Sequence, residues 1–128
     1  MKQKISCLLI DDDRDDQEIF KIALQDVNDE VHFVAADDGV EGLQLLQSGE
    51  HGTPSFIFLD LNMPRMTGKD CLAAIRSQPH LSGIPVVIYS TSSDPKDIQD
   101  TKALGATDYV VKQYSITSLK EILRRFFN

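Results

Sequence analysis

The sequence has no tryptophan, only two cysteines and three histidines, and no apolar run long enough to cross a bilayer. A membrane helix needs about 20 consecutive apolar residues, and the runs here are strand-sized. Met1-Lys2-Gln3-Lys4 leads through one short apolar run into acids, which leaves no signal-peptide core. Cys7 and Cys71 both lie inside apolar patterns, so buried free thiols are expected rather than a disulfide or a metal site. His32, His51 and His80 show no ligand spacing. Basic residues number 13 against 20 acidic ones, for a net charge of −7. That balance argues against nucleic acid or an anionic membrane as the direct partner. The expected location is the cytoplasm.

What is present is enough for one domain with one core: 128 residues, 41% of them apolar. No repeat, linker or low-complexity segment divides the chain, and no output domain is expected within residues 1–128. The organising stretch is Phe56-Ile57-Phe58-Leu59-Asp60-Leu61-Asn62-Met63-Pro64-Arg65-Met66-Thr67-Gly68. Four large apolar residues run straight into an aspartate, and a Pro/Gly loop follows. Such a run reads as a strand buried on both faces. Asp60 then stands at the carboxyl edge of a sheet, where an unpaired charge is costly.

The chain alternates strand and helix five times. Ile5 to Ile10 is an apolar strand ending in Asp11-Asp12-Asp13. Ile19, Phe20, Ala23, Leu24 and Val27 stripe a first helix whose first turn is acidic, as the helix dipole favours. Glu30 to Ala36 is a second strand, and Asp37-Asp38-Gly39 turns into a helix marked by Val40, Leu43 and Leu46 and closed by Ser48-Gly49. A polar loop, Glu50 to Ser55, precedes the central strand. Cys71, Leu72 and Ile75 stripe a third helix, which Pro79 stops. Ile84 to Tyr89 is a fourth strand running into Ser90. Asp94-Pro95 opens a weakly amphipathic fourth helix. Thr107 to Val111 is the fifth strand, followed by Lys112. Ser115 opens a fifth helix with the stripe Ile116, Leu119, Ile122, Leu123 and Phe126.

Alternation of this kind predicts an α/β fold with a parallel sheet covered by helices on both faces. All strand ends then share one edge. In the flavodoxin-like order 2-1-3-4-5 the strand order reverses between the first and third strands, where ligand sites form. That order places Asp11, Asp12 and Asp60 together. Their mutual repulsion is offset by one ammonium only in part, and the residue of about −2 suits a hard divalent cation such as Mg²⁺. A carboxylate so placed can attack a phosphoryl group. Mg²⁺ and Lys112 would stabilise the transferring oxygens, and Ser90 would add a hydroxyl donor.

With these residues in order, the chain resembles the receiver domain of two-component response regulators, of the stand-alone type. The resemblance rests on Leu9-Ile10-Asp11-Asp12, Leu59-Asp60-Leu61-Asn62-Met63-Pro64 with Gly68, Ile88-Tyr89-Ser90, and Asp108-Tyr109-Val110-Val111-Lys112. It covers essentially the whole chain. It implies Asp60 as phospho-acceptor from a phosphohistidine. It implies Asp11, Asp12, Asp60 and the backbone carbonyl of Asn62 as ligands of Mg²⁺ (or Mn²⁺). Ser90 would be the switch hydroxyl, Tyr109 the aromatic that follows it, and Lys112 the bridge to the phosphoryl group. The implied partners are a sensor histidine kinase or histidine phosphotransfer protein. A downstream target, a second copy or a further phosphate acceptor would meet the surface of the fourth helix, fifth strand and fifth helix. Such a module catalyses only its own phosphorylation and dephosphorylation.

The chain departs from the family pattern at Gln113, where proline usually follows the lysine. A cis bond without proline costs about 3 kcal/mol, so a trans peptide and a differently shaped loop are expected. Thr91 replaces a smaller residue after the switch hydroxyl and could slow hydrolysis by narrowing water access. The 50–55 loop is longer than is common. Two other classes compete. An Asp-nucleophile phosphohydrolase usually carries a second carboxylate two residues on, and that position is Asn62. A nucleotide-binding flavodoxin-like module needs a Gly-rich phosphate loop after the first strand, where this chain has only acids.

Overall fold

A computed structural model describes residues 5–113 and 115–128, so the polar lead-in of residues 1–4 lies outside the described residues. The apolar runs form five strands: β1 Ser6–Ile10, β2 His32–Ala36, β3 Phe56–Leu59, β4 Val86–Ser90 and β5 Asp108–Val111. They pair in parallel in the order β2-β1-β3-β4-β5, the expected flavodoxin-like order. The intervening helices are α1 Arg14–Val27, α2 Gly39–Ser48, α3 Gly68–Ser77, α4 Pro95–Ala103 and α5 Ile116–Phe127. Each N-cap is an Asp, Ser or Thr: Asp13, Asp38, Thr67, Asp94 and Ser115. Each accepts a backbone N–H of the first turn, which leaves fewer orphan donors at the helix start. At α1 this has a consequence for the site. Asp13 does the capping, so Asp11 and Asp12 are not needed for it.

Alternation along β1 divides the interior. Leu8 and Ile10 pack with Ile57, Leu59, Val86 and Ile88 under Leu43, Leu46, Leu72 and Ile75 of α2 and α3. Cys7 and Leu9 pack with Phe58, Val87, Tyr89 and Val110 under Phe20 and Leu24 of α1 and Leu119, Leu123 and Phe127 of α5. Helices thus cover both faces. Cys7 and Cys71 are buried free thiols, and burial pushes the Cys71 thiol up to about 12. The 50–55 loop is tied back to the sheet, since Ser55 donates its N–H to the Ser6 carbonyl (2.9 Å) and its hydroxyl oxygen accepts the Ser6 N–H (3.0 Å).

The two apolar stripes shift slightly from expectation. Ile19 is 46% exposed, because Phe20, Ala23 and Leu24 set the buried face and Ile19 lies one step around the helix. In α5 the buried set is Leu119, Leu123 and Phe127, and Ile116 is 39% exposed. The α4 stripe is as weak as its sequence: Thr101 is its one buried residue.

Gly68 fixes the entry of α3 against the site. A Cβ there would collide with the Asp60 carbonyl oxygen and lie 2.6 Å from the Leu61 Cα, while the Gly68 N–H donates to the Leu61 carbonyl at 2.8 Å. Both obstacles are backbone and cannot swing aside. We expect Gly68→Ala to lower stability by about 2 kcal/mol, as overpacking does, read by urea unfolding. An unchanged midpoint would show that α3 can move away freely.

Candidate functional site

The sheet register builds the site. Ile10 pairs with Leu59, and Leu59 pairs with Ile88. Asp11 and Asp60 are therefore the next residues on adjacent strands. Backbone bonds extend the ladder past both, from the Asp60 N–H to the Ile10 carbonyl (2.9 Å) and from the Asp11 N–H to the Ala36 carbonyl (3.1 Å). Ser90 pairs with Val111, and the Lys112 N–H donates to the Ser90 carbonyl at 2.7 Å. Asp11 is fully buried, Asp60 and Ser90 nearly or fully so, and Asp12 is exposed.

Asp11, Asp12 and Asp60 each offer a carboxylate oxygen within 4.8 Å of the others. Lys112 Nζ lies 2.8 Å from Asp11 Oδ2 and 3.4 Å from Asp60 Oδ2. It also lies 2.8 Å from Asp16 Oδ2 and 5.3 Å from the centroid of the Tyr89 ring. Among the described residues no peptide is cis. The Lys112–Gln113 bond is therefore trans, and the lysine still reaches Asp60. Asp60 Oδ1 accepts the Leu61 N–H at 2.8 Å, and Asp11 Oδ1 accepts the Asp13 N–H at 2.9 Å.

Ser90 Oγ accepts the Ser92 N–H at 3.1 Å, and the Tyr109 hydroxyl donates to the Ser92 carbonyl at 2.8 Å. Ser90 and Tyr109 thus meet on one residue between them. Asn62 lies exposed in the loop two residues past Asp60. Asp16 joins the site only in the structure, through its 2.8 Å contact with Lys112. Its only sequence signal is membership of the acidic run, where a first-turn helix acid is the ordinary reading.

Burial dominates the electrostatics. It raises the Asp11 pKa from 3.8 to about 6, against the lowering hydrogen bonds from Lys112 and the Asp13 N–H. Burial also raises Asp60, opposed chiefly by the Lys112 charge. Burial pulls the Lys112 ammonium down, but its hydrogen bonds to Asp11 and Asp16 outweigh that and hold its pKa above the usual lysine value. Oxygen-only donors in surplus over a single ammonium suit a hard divalent cation, so this acidic pocket could bind one. Anionic cofactors are disfavoured by the same surplus.

A parallel α/β sheet with an acidic carboxyl edge and one shared lysine defines a phosphoryl-accepting signalling module. The model of the response regulator receiver domain family matches residues 7–124, and the chain belongs to that family. Chemotaxis protein CheY of Pseudomonas aeruginosa is 33% identical over 120 residues, 94% of each chain. Response regulator Rcp1 of Synechocystis sp. is 29% identical over 121 residues, 91% of this chain and 82% of Rcp1. The crystal structure of the phosphorylated cyanobacterial phytochrome response regulator RcpA superposes with a TM-score of 0.88 at 30% identity, covering 96% of this chain and 91% of RcpA. The Mn²⁺-bound form of Rcp1 gives 0.83 at 27% identity, covering 94% and 90%. Receiver domains of this family are signalling modules rather than conventional enzymes; they interact with histidine kinases and downstream targets. No described helix is long and apolar enough to cross a membrane.

The raised Asp11 pKa has a measurable consequence. The folded state binds this proton more tightly than the unfolded chain, so Asp11's own contribution to stability falls as pH rises from about 4 to about 6 and the deficit persists above that. Asp11→Asn has no such deficit. In metal-free buffer the stability difference between variant and wild type, whatever its sign at pH 4, should shift in the variant's favour across that window, by about 3 kcal/mol at neutral pH. A pH-independent difference between the two urea-unfolding curves would contradict the assignment.

Proposed function

We propose that this chain is a single receiver domain that takes a phosphoryl group on Asp60 from a phosphohistidine. The observation that carries the reading is the convergence of Asp11, Asp12, Asp60 and Lys112 on one sheet edge. Asp60 Oδ2 attacks phosphorus, an O–P bond forms, and the P–N bond to the donor imidazole breaks with its electron pair left on nitrogen. Oδ1 is occupied by the Leu61 N–H, which leaves Oδ2, held only at 3.4 Å, as the nucleophile. Lys112 places positive charge beside the transferring oxygens. Asp11, Asp12, Asp60 and the Asn62 carbonyl would hold Mg²⁺ (or Mn²⁺), which supplies further charge stabilisation when bound. Hydrolysis of the acyl phosphate would be self-catalysed, slowed by Thr91.

The donor would be a sensor histidine kinase or a histidine phosphotransfer protein in the cytoplasm. Phosphorylation replaces a charge of about −1 by one near −2. That draws the Ser90 hydroxyl and Lys112 toward Asp60, and Tyr109 follows through Ser92. The readout would be the α4-β5-α5 surface, used for a downstream protein, a second copy or onward relay. Support for a mobile α4 is its shallow seating, with only Thr101 buried.

Intact mass after incubation with a small phosphodonor tests the acceptor. Wild type should gain one phosphoryl group in the presence of Mg²⁺ and none without it, and Asp60→Asn should gain none. No adduct on wild type with any donor or kinase would end the reading. Amide NMR tests the readout: on phosphorylation, shifts should extend from the Asp60 loop to α4 and Tyr109, and shifts confined to that loop would refute the switch.

A further inference from the structure

A lysine ammonium has three N–H donors. Around Lys112 three carboxylates face them: Asp11 at 2.8 Å, Asp16 at 2.8 Å and Asp60 at 3.4 Å. The two short contacts fix the direction of the third. Asp16 stands apart from the acidic trio, in the first turn of α1, 96 residues from Lys112 in sequence. A first-turn acid ordinarily does no more than complement the helix dipole. Asp15, its neighbour, is exposed and makes no contact with Lys112. Asp16 is about one-third exposed and crosses to the end of β5. Its backbone is held in place, because its N–H donates to the Asp13 cap at 3.1 Å.

We propose that Asp16 is a positioning residue: it anchors the Lys112 ammonium so that the remaining N–H is aimed at Asp60 and its phosphoryl group. The inference rests on the reading of Asp60 as acceptor. A lysine side chain is a flexible four-carbon stem, and a point charge at its end needs at least two anchors to hold one direction. Asp11 is one anchor, but it is also a ligand of the cation pocket, so a bound cation competes with Lys112 for its oxygens. The Tyr89 ring supports Lys112 from 5.3 Å without fixing the orientation of its N–H bonds. The backbone after Lys112 is a trans peptide to Gln113, with no proline ring to stiffen it. Asp16 is then the one anchor that neither the cation nor the phosphoryl group claims.

The test compares wild type, Asp16→Ala, Asp16→Glu and Asp15→Ala, each first checked for an unchanged fold by circular dichroism and melting. Asp15→Ala removes the same charge from the same helix turn without touching Lys112, so it isolates the loss of repulsion toward an anionic donor. The first measurement is the rate of phosphoryl gain from acetyl phosphate at saturating Mg²⁺, by intact mass. Asp16→Ala should be slower by about tenfold or more, the scale of a misplaced catalytic group. Asp15→Ala should stay within about twofold of wild type, a small surface-charge effect, and Asp16→Glu should recover most of the loss. The second measurement is the ¹⁵N NMR signal of the Lys112 ammonium in metal-free protein. It should persist in wild type and Asp15→Ala and be lost to rapid exchange in Asp16→Ala. A rate for Asp16→Ala equal to or above that of Asp15→Ala, or an unaltered ammonium signal, would overturn the proposal. If wild type itself takes no phosphoryl group, the acceptor reading falls instead, and the ammonium signal still reports whether Asp16 anchors the lysine.

Discussion

The structure depends on one ammonium placed among carboxylates that would otherwise repel each other. Lys112 Nζ touches Asp11 and Asp16 and approaches Asp60 while its side chain is only 10% exposed. Removing one partner from such a buried pair typically costs 3–5 kcal/mol, because a charge is left without compensation. Lys112 therefore cannot be lost without destabilising the sheet edge. Yet one positive charge does not neutralise the four acids around it, Asp11, Asp12, Asp16 and Asp60. The edge is left short of positive charge, a shortage that a divalent cation could fill.

The scaffold under the charges is stiff on one side and light on the other. Phe20 meets Phe58 edge-on at 5.1 Å and Tyr89 at 5.5 Å, and Phe58 also meets Phe126 at 5.4 Å. Aromatic edge contacts of this kind add to burial and hold β3 and β4 in register beneath Asp60. Across the sheet, α4 relies on ion pairs. Lys69 of α3 reaches Asp97 at 2.8 Å and Asp100 at 2.9 Å, and Lys96 shares Asp100. Pairs this open to solvent are screened and add little. In the proposed switch, a change in charge balance near β4 would therefore act on α4 before the aromatic floor.

How much of this was legible in the sequence depended on the range of the interaction concerned. Local apolar runs disclosed the strands, and alternation disclosed the parallel sheet. The residues ending each run, Asp11, Asp60, Ser90 and Lys112, followed from parallel geometry alone. Asp16 was hidden because its partner lies 96 residues away and its local setting has a sufficient explanation in the helix dipole. The burial of Phe127 in place of Ile116 was hidden for a related reason. Phe126 and Phe127 both meet Phe56 and Phe58, and this aromatic cluster, distant in sequence, extends the buried face to the last residue of α5. The reach of Lys112 shows the reverse case. The missing proline suggested a different loop, but the Lys112 N–H bond to the Ser90 carbonyl keeps the lysine on the ladder of β4, so its register does not depend on the residue that follows.

The same logic locates the connection between the buried edge and the surface. Ser92 is held from three sides: its N–H donates to Ser90 Oγ, its carbonyl accepts the Tyr109 hydroxyl, and its own hydroxyl donates to Asp97 of α4 at 2.6 Å. Ser90 is fully buried and its oxygen already accepts the Ser92 N–H, so a swing of this side chain toward Asp60 would disturb that bond. In the proposed switch, breaking that bond would loosen Ser92, whose carbonyl Tyr109 holds and whose hydroxyl Asp97 holds. Direct contact between the Ser90 and Tyr109 side chains is thus unnecessary for one to affect the other. Under the proposed switch the residue between them would carry the coupling, and its third bond ends on α4, where Thr101 alone is buried.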